Sequence, residues 1–354
     1  MTASVHGPVD VVCLGESMVT FLPTRAGRLA DVPSYLRGIG GAETNVACAL
    51  AAAGHRTRWV GRVGADGFGE YLVEAIGAYG VDTSAVARDP SRPTGVYFRT
   101  ATDRATDAHE VVYYRAGSAA SAMSPAIVPY DALWSGRVLH VSGITAALSP
   151  DCLALMRDLT ARREDRPLVS FDVNHRPGLW RDPAAARVLL DLARGADVVF
   201  VGEDEAEEAW GLRGPDAVRE ALPEPAVLVV KRGAAGAVSF TTTTTTTSTS
   251  TTGTGDAVAR APAPRVTVTA PVGAGDAFAA GFLAATLRGL GGRERLRHGH
   301  LWAAAALTVP GDLAPPPAAA HADRLVALDD DAWGRLHLGP GWTGNGDDQE
   351  VRTP

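Results

Sequence analysis

The chain has 354 residues, with 33 Lys+Arg against 40 Asp+Glu and a formal net charge of −7. Its 46% hydrophobic and 21% charged residues suffice for a sizeable core, at a length of about two average domains or one large α/β unit. The acidic balance without a basic block excludes bulk nucleic-acid binding as the main task, and no apolar run approaches the roughly 18 residues of a membrane span. Residues 1–10 have neither the basic start nor the apolar stretch of a signal peptide, so a cytoplasmic protein is expected. Cys13, Cys48 and Cys152 are odd in number and form no Cys-x-x-Cys, which fits reduced, buried thiols better than disulfides or zinc.

Taken in chain order, residues 9–14 are an apolar run closed by Gly15 and read as a buried strand. Residues 17–36 alternate polar and apolar positions without a helical period. Residues 42–53 read as a helix stopped by Gly54, 58–63 as a strand, and 68–79 as a helix ended by Gly80. The alternation returns over 95–115, in Val96-Tyr97-Phe98-Arg99 and Val111-Val112-Tyr113-Tyr114-Arg115, so 17–36 and 95–115 are expected to form antiparallel strands of a small flap. Apolar runs at 138–142, 168–173, 198–201 and 227–231 then alternate with helical patterns, notably 152–163 and 183–194. Strands alternating with helices in this way imply a parallel sheet wrapped by helices. The threonine-rich segment 241–256 cannot bury a face and reads as an exposed hairpin insertion, extended or mobile. A strand is expected at 265–268, a helix at 277–287, and disorder over 339–354, where Gly, Pro and charge mix without a period.

The strongest chemical signal is Gly273-Ala274-Gly275-Asp276 at the start of the 277–287 helix. Glycines at a helix start let backbone amides face an anion, with the helix dipole adding attraction. A carboxylate in the same turn repels a phosphate, but it suits a base that takes a proton from a hydroxyl attacking a phosphoryl group. A short glycine motif alone is weak evidence, and an ordinary acidic residue in a first helical turn would look the same. Four further motifs accompany it: Gly40-Gly41-Ala42-Glu43-Thr44-Asn45, Gly61-Arg62-Val63-Gly64-Ala65-Asp66-Gly67, Asp172-Val173-Asn174-His175-Arg176, and Lys231-Arg232-Gly233 with a turn at Gly236. Lys231 is the only lysine of the chain. The pair His298 and His300 is spaced by two with no acidic or Cys partner nearby in sequence, which favours surface histidines over a metal site.

Together these motifs resemble the ribokinase-like (PfkB) family of sugar kinases, and more closely its 2-keto-3-deoxygluconate kinase branch. The Gly-Gly-Ala-Glu-x-Asn form, Tyr113-Tyr114-Arg115 ahead of Gly117-Ser118, and Asp172-x-Asn174-x-Arg176-Pro177-x-Leu179-Trp180 carry the likeness to that branch. The resemblance implies one kinase domain over 9–330, an α/β doubly wound, mostly parallel sheet flanked by helices, with a small β-strand lid from 17–36 and 95–115. It implies ATP and Mg2+ as cofactors, a sugar acid as acceptor, and a homodimer as the expected assembly. Asp276 would be the general base, and Gly273, Ala274 and Gly275 the anion hole. Gly41, Asn45, Tyr97, Tyr113, Arg115, Ile144, Arg176 and Asp312 fall where the branch holds its sugar acid. Lys231, Gly233 and Gly236 would line the nucleotide, and Glu205 and Asn174 would help place magnesium through water. Chemistry supports the arginines independently, because a guanidinium grips a carboxylate with two charge-assisted bonds that a neutral hexose cannot return.

Three departures stand out, the threonine-rich segment 241–256 among them. Ala270 occupies the place of a family aspartate that helps ligate a monovalent cation, so potassium activation is expected to be weak or absent. Gly202 stands where the family's Asn-x-x-Glu motif has its Asn. A kinase for a neutral sugar or nucleoside, and a degenerate binding protein that keeps the nucleotide fold, stay open as alternatives.

Overall fold

A computed structural model describes residues 9–25, 27–100, 111–180, 185–246 and 252–344. Fifteen strands are described: β1 Val9–Leu14, β2 Met18–Pro23, β3 Tyr35–Gly40, β4 Thr57–Gly64, β5 Val86–Asp89, β6 Val96–Arg99, β7 Val111–Tyr114, β8 Gly136–Ser142, β9 Leu168–Asp172, β10 Val198–Gly202, β11 Val227–Lys231, β12 Ala237–Thr246, β13 Thr252–Ala261, β14 Arg265–Val266 and β15 His337–Leu338. Nine of them make one sheet in the order β13-β12-β11-β10-β9-β8-β1-β4-β5. From β11 to β5 every pairing is parallel, whereas β12 pairs antiparallel with both β11 and β13 at the edge.

The central strands read as near-continuous apolar runs because both faces of the sheet are covered. Successive residues of β1 serve opposite layers: Val11 and Cys13 join one buried cluster, Val12 and Leu14 the other. Helices Ala42–Ala52, Ala274–Leu287 and Gly292–Leu307 pack on the first layer, and helices Pro150–Thr160 and Ala185–Gly195 on the second. Each fully buried Val, Leu or Phe contributes about 1.5–3 kcal/mol, so these two layers hold the molecule together.

The chain leaves β1 for the lid, builds β4 and β5 on one side, and then returns to build β8 through β13 on the other. This reversal of strand order between β1 and β8 opens a crevice at the carboxyl ends of the strands. Above it lies a four-stranded lid in the order β3-β2-β6-β7, antiparallel except for the parallel β2–β6 pair. The alternation at 17–36 and 95–115 therefore assembles as expected, and residues 101–110 of the second segment lie outside the described residues. On the lid, Leu36 is exposed, whereas Tyr35 and Phe98 are half-buried in an aromatic cluster with Phe21 and Tyr114.

Several expectations need correction. The strand expected at 265–268 shortens to β14, which pairs with β15 rather than joining the main sheet. The helix expected from Ala277 begins at Ala274, because Gly273 adopts a left-handed φ of 71° and starts it three residues early. His298 and His300 are buried, not superficial: their helix is wedged between helix Ala274–Leu287 and the β12–β13 hairpin. His298 Nε2 lies 3.3 Å from an Asp323 carboxylate oxygen, and His300 Nε2 lies 3.2 Å from the Ala261 carbonyl. Residues 339–344, expected to be disordered, form a turn whose Trp342 packs on the core and against the His321 ring. Residues 345–354 of that segment lie outside the described residues, as do 247–251 of the threonine run, whose remainder forms the paired hairpin β12–β13.

Candidate active site

The N-terminus of helix Ala274–Leu287 faces the crevice. Its first-turn amides have no partner within the helix, which is the condition for holding an anion. Asp276 sits in this same turn and accepts a hydrogen bond of 2.8 Å from Asn45 Nδ2. Asn45 belongs to helix Ala42–Ala52, whose N-terminus is the Gly40-Gly41 turn leaving the lid. Gly41 is required there: a Cβ would stand 2.4 Å from the Glu16 carbonyl oxygen. Burial pushes the Asp276 carboxyl up to about 7, and the charge of Asp172 adds to this, while Asn45, Lys231 and Arg176 oppose it.

Lys231, at the end of β11, places Nζ 3.1 Å from both carboxylate oxygens of Asp172 at the end of β9. Its ammonium also lies by the glycine turn, 3.6 Å from where a Cβ of Gly275 would be. Burial works against the lysine charge, yet Asp172, Glu205 and Asp276 outweigh it and raise its pKa. Gly233 opens the turn after β11, with a left-handed φ of 53° and free space around it. Gly236 has a packing task of its own, since a Cβ would stand 2.2 Å from the Ala261 carbonyl oxygen on β13.

The lid carries two Tyr-x-Arg pairs, Tyr97 and Arg99 on β6, and Tyr113 on β7 with Arg115 just past its end. Tyr97 and Tyr113 are register partners with ring centroids 5.4 Å apart. Arg115 is ion-paired with Glu16, both nearly buried, and Glu16 also accepts from the Ser118 hydroxyl at 2.6 Å. Arg176 is different: its side chain is 54% exposed, with Nη1 3.3 Å from Glu205 and 2.9 Å from the His175 carbonyl oxygen. Asp312 reaches the lid, where Tyr97 donates to Oδ2 at 2.5 Å and Arg99 to Oδ1 at 2.8 Å. Ile144 stands half-buried in the turn after β8, next to Thr145.

The sequence reading missed Glu16, Glu43 and Arg99, and gave Asp172 no role. Glu43 is buried under the crevice and accepts from the Ser142 and Thr145 hydroxyls at 2.8 and 2.7 Å. Period-two alternation was the available signal for Arg99, since it puts that residue on the Tyr97 side of β6. Glu16 and Glu43 had no such signal, because their partners come from distant segments.

The two residues expected to help place magnesium, Asn174 and Glu205, differ in what their oxygens meet. Asn174 Oδ1 is buried without a partner among the described residues, in a residue of left-handed φ, 43°. Glu205, at the start of helix Glu203–Trp210, is anchored by the Gly202 amide at 2.7 Å. Ala270 is buried and its amide bonds to the Leu307 carbonyl, so its side chain brings no oxygen to this region.

An open, doubly wound sheet with a lidded crevice and an acid at a glycine-turned helix start is the arrangement of an α/β sugar kinase. Residues 9–319 match the pfkB family carbohydrate kinases, and the chain belongs to that family. It is 34% identical over 314 residues to a 2-dehydro-3-deoxygluconokinase of Bacillus subtilis (strain 168), covering 86% of this chain and 91% of that protein. It is likewise 34% identical over 322 residues to the 2-dehydro-3-deoxygluconokinase of Thermoproteus tenax, covering 90% and 94%. A probable chloroplastic fructokinase-6 of Arabidopsis thaliana is 31% identical over 312 residues, 84% of this chain and 77% of that protein. Among solved structures, a PfkB protein from Polaromonas sp. JS666 superposes with a TM-score of 0.72 at 35% identity, over 86% of this chain and 98% of that one.

Proposed function

We propose that this carbohydrate kinase transfers the γ-phosphoryl group of ATP to a primary hydroxyl of 2-keto-3-deoxygluconate, the same compound as 2-dehydro-3-deoxygluconate. The observation that carries the chemistry is Asp276, a carboxylate poised near neutrality in the very turn that binds an anion. Ionised, it takes the proton from the attacking hydroxyl; Asn45 holds its Oδ2 and fixes the direction of approach. The amides of Gly273, Ala274 and Gly275 stabilise the charge on the phosphoryl group in flight, and Lys231 adds a point charge beside them. Lys231, Gly233 and Gly236 border the nucleotide. Glu205 and Asn174 would hold a magnesium ion through water, and the ion would supply neutralisation of phosphate charge, relying mainly on the phosphates themselves.

The acidic acceptor is supported by the two relatives named for it and by the arginines around the crevice. Arg176 is open enough to grip a carboxylate with two bonds, and Arg115 offers its remaining N–H groups from a fixed position beside Glu16. Tyr97, Tyr113, Gly41, Ile144 and Asp312 surround the rest of the sugar. The fructokinase likeness favours a second reading, a neutral hexose as acceptor. ATP consumption with magnesium over 2-keto-3-deoxygluconate, 2-keto-3-deoxygalactonate, gluconate, fructose, ribose and adenosine decides between them, with Asp276→Ala run in parallel. Turnover on a keto-deoxy acid that disappears in the variant is expected. Turnover confined to a neutral sugar discards the acidic acceptor, and an active Asp276→Ala discards the base.

A further inference from the structure

The Asp312 carboxylate is a junction of three segments that lie far apart in sequence. Tyr97 and Arg99, one turn of alternation apart on β6, occupy its two oxygens separately. Gly40, the last residue of β3, passes so close that a Cβ would stand 2.4 Å from the Tyr97 hydroxyl and 2.7 Å from Asp312 Oδ2. On the other side, the Asp312 backbone carbonyl packs flush on the anion-hole turn: a Cβ on Gly273 would stand 2.1 Å from that oxygen. Arg99 is 4% exposed and its Nε has no partner among the described residues, within which Asp312 is the ion pair that compensates this guanidinium.

These contacts have two consequences. Mechanically, the lid strand is tied through Asp312 to the turn that receives the phosphoryl group. Electrostatically, the Asp312 charge is balanced at the sugar's edge of the crevice, where an unpaired carboxylate would repel an acidic acceptor. We propose that Arg99 is a positioning residue that latches the lid to the glycine turn through Asp312 and, by pairing with that carboxylate, admits an acidic sugar. The electrostatic half rests on the acidic-acceptor reading; the mechanical half does not.

The test compares Arg99→Gln, Asp312→Asn and the double variant R99Q/D312N. Arg99→Gln leaves a buried charge without its partner and is expected to lower kcat/KM for 2-keto-3-deoxygluconate at least about tenfold. Removing both charges restores balance, so the double variant is expected to use the acid better than Arg99→Gln alone. Losses that simply multiply in the double variant overturn the charge-balancing role. Hydrogen exchange reads the latch without turnover: in Arg99→Gln, amides of β6 and of residues 273–276 are expected to exchange faster together. Faster exchange confined to β6 overturns the latch, whichever sugar is used. If the wild-type protein turns over no sugar acid, the acceptor reading fails while the exchange experiment still decides the latch. The double variant also guards against misfolding, because it buries no unpaired charge.

Discussion

Asn45 and burial act on Asp276 in opposite senses, and their balance sets where the base works. Burial raises the carboxyl to about 7, and the Asn45 amide, by donating to the ionised form, opposes that rise more strongly than Lys231 or Arg176 does. A base acts when deprotonated, so kcat/KM should climb as pH rises through about 7 and level off above it. Asn45→Leu removes the donor, and the acid limb of the pH–rate profile should then move to higher pH by about one unit. A limb that stays in place, or moves to lower pH, means that Asp276 is not the group being titrated. Asp172 and Lys231 sit on either side of the same balance, the first raising the pKa and the second lowering it, so a change at either must be read against the other.

Helix Ala42–Ala52 is short and rich in alanine, and its first turn faces two ways. Asn45 points to Asp276, while Glu43 points down to the turn after β8, where it collects the Ser142 amide and the Ser142 and Thr145 hydroxyls. Gly15 makes room for it, since a Cβ there would lie 2.1 Å from the Glu43 carboxyl carbon. Burial raises the pKa of this carboxyl, and the hydroxyls that donate to it pull the other way. Glu43→Ala strands those donors, at a cost of about 1–3 kcal/mol for each unsatisfied group, and should lower the thermal midpoint by several degrees. Glu43→Gln keeps an acceptor oxygen in place and should recover most of that loss; equal loss in both variants would mean that the carboxylate charge itself holds the helix start. What the sequence displays of such elements follows from how local their causes are. The apolar run at 9–14 was legible because a strand covered on both faces must be apolar at every position. The lid was legible from alternation. The start of helix Ala274–Leu287 was misread because the left-handed Gly273 and the glycine at its second position hide a helix that propensity alone would begin at Ala277. The histidines were misread because their burial comes from neighbouring elements, not from their own helix. Within the site, Asp276, Asn45 and Lys231 could be found by motif and alternation marked the face of Arg99, whereas the pairings Arg99–Asp312 and Arg115–Glu16 join segments far apart in the chain.

Over the whole molecule, the sheet is wider than its core. Strand β12 pairs with β11 only from Ala237 to Thr241, with a last bond from the Thr242 amide to the Ala226 carbonyl. Beyond that point β12 and β13 pair with each other alone, from Thr243–Gly255 out to Thr246–Thr252. Arg219 marks the limit of support, bonding Asp256 at 2.7 Å and Thr242 at 2.8 Å. Helix Gly292–Leu307 meets the hairpin at Ser239 and Ala259, nearer its base than the threonine run. Thr242 and Asp256 are register partners, so residues 243–255 can be replaced by Asn-Gly, which closes a two-residue hairpin turn at that pair. Loop length itself enters stability weakly, at about 0.6 kcal/mol per doubling. The shortened chain should keep its thermal midpoint and its KM for ATP. A KM for ATP that rises several-fold would mean instead that the outer hairpin reaches over the nucleotide beside Gly233, and that the threonines belong to the active site.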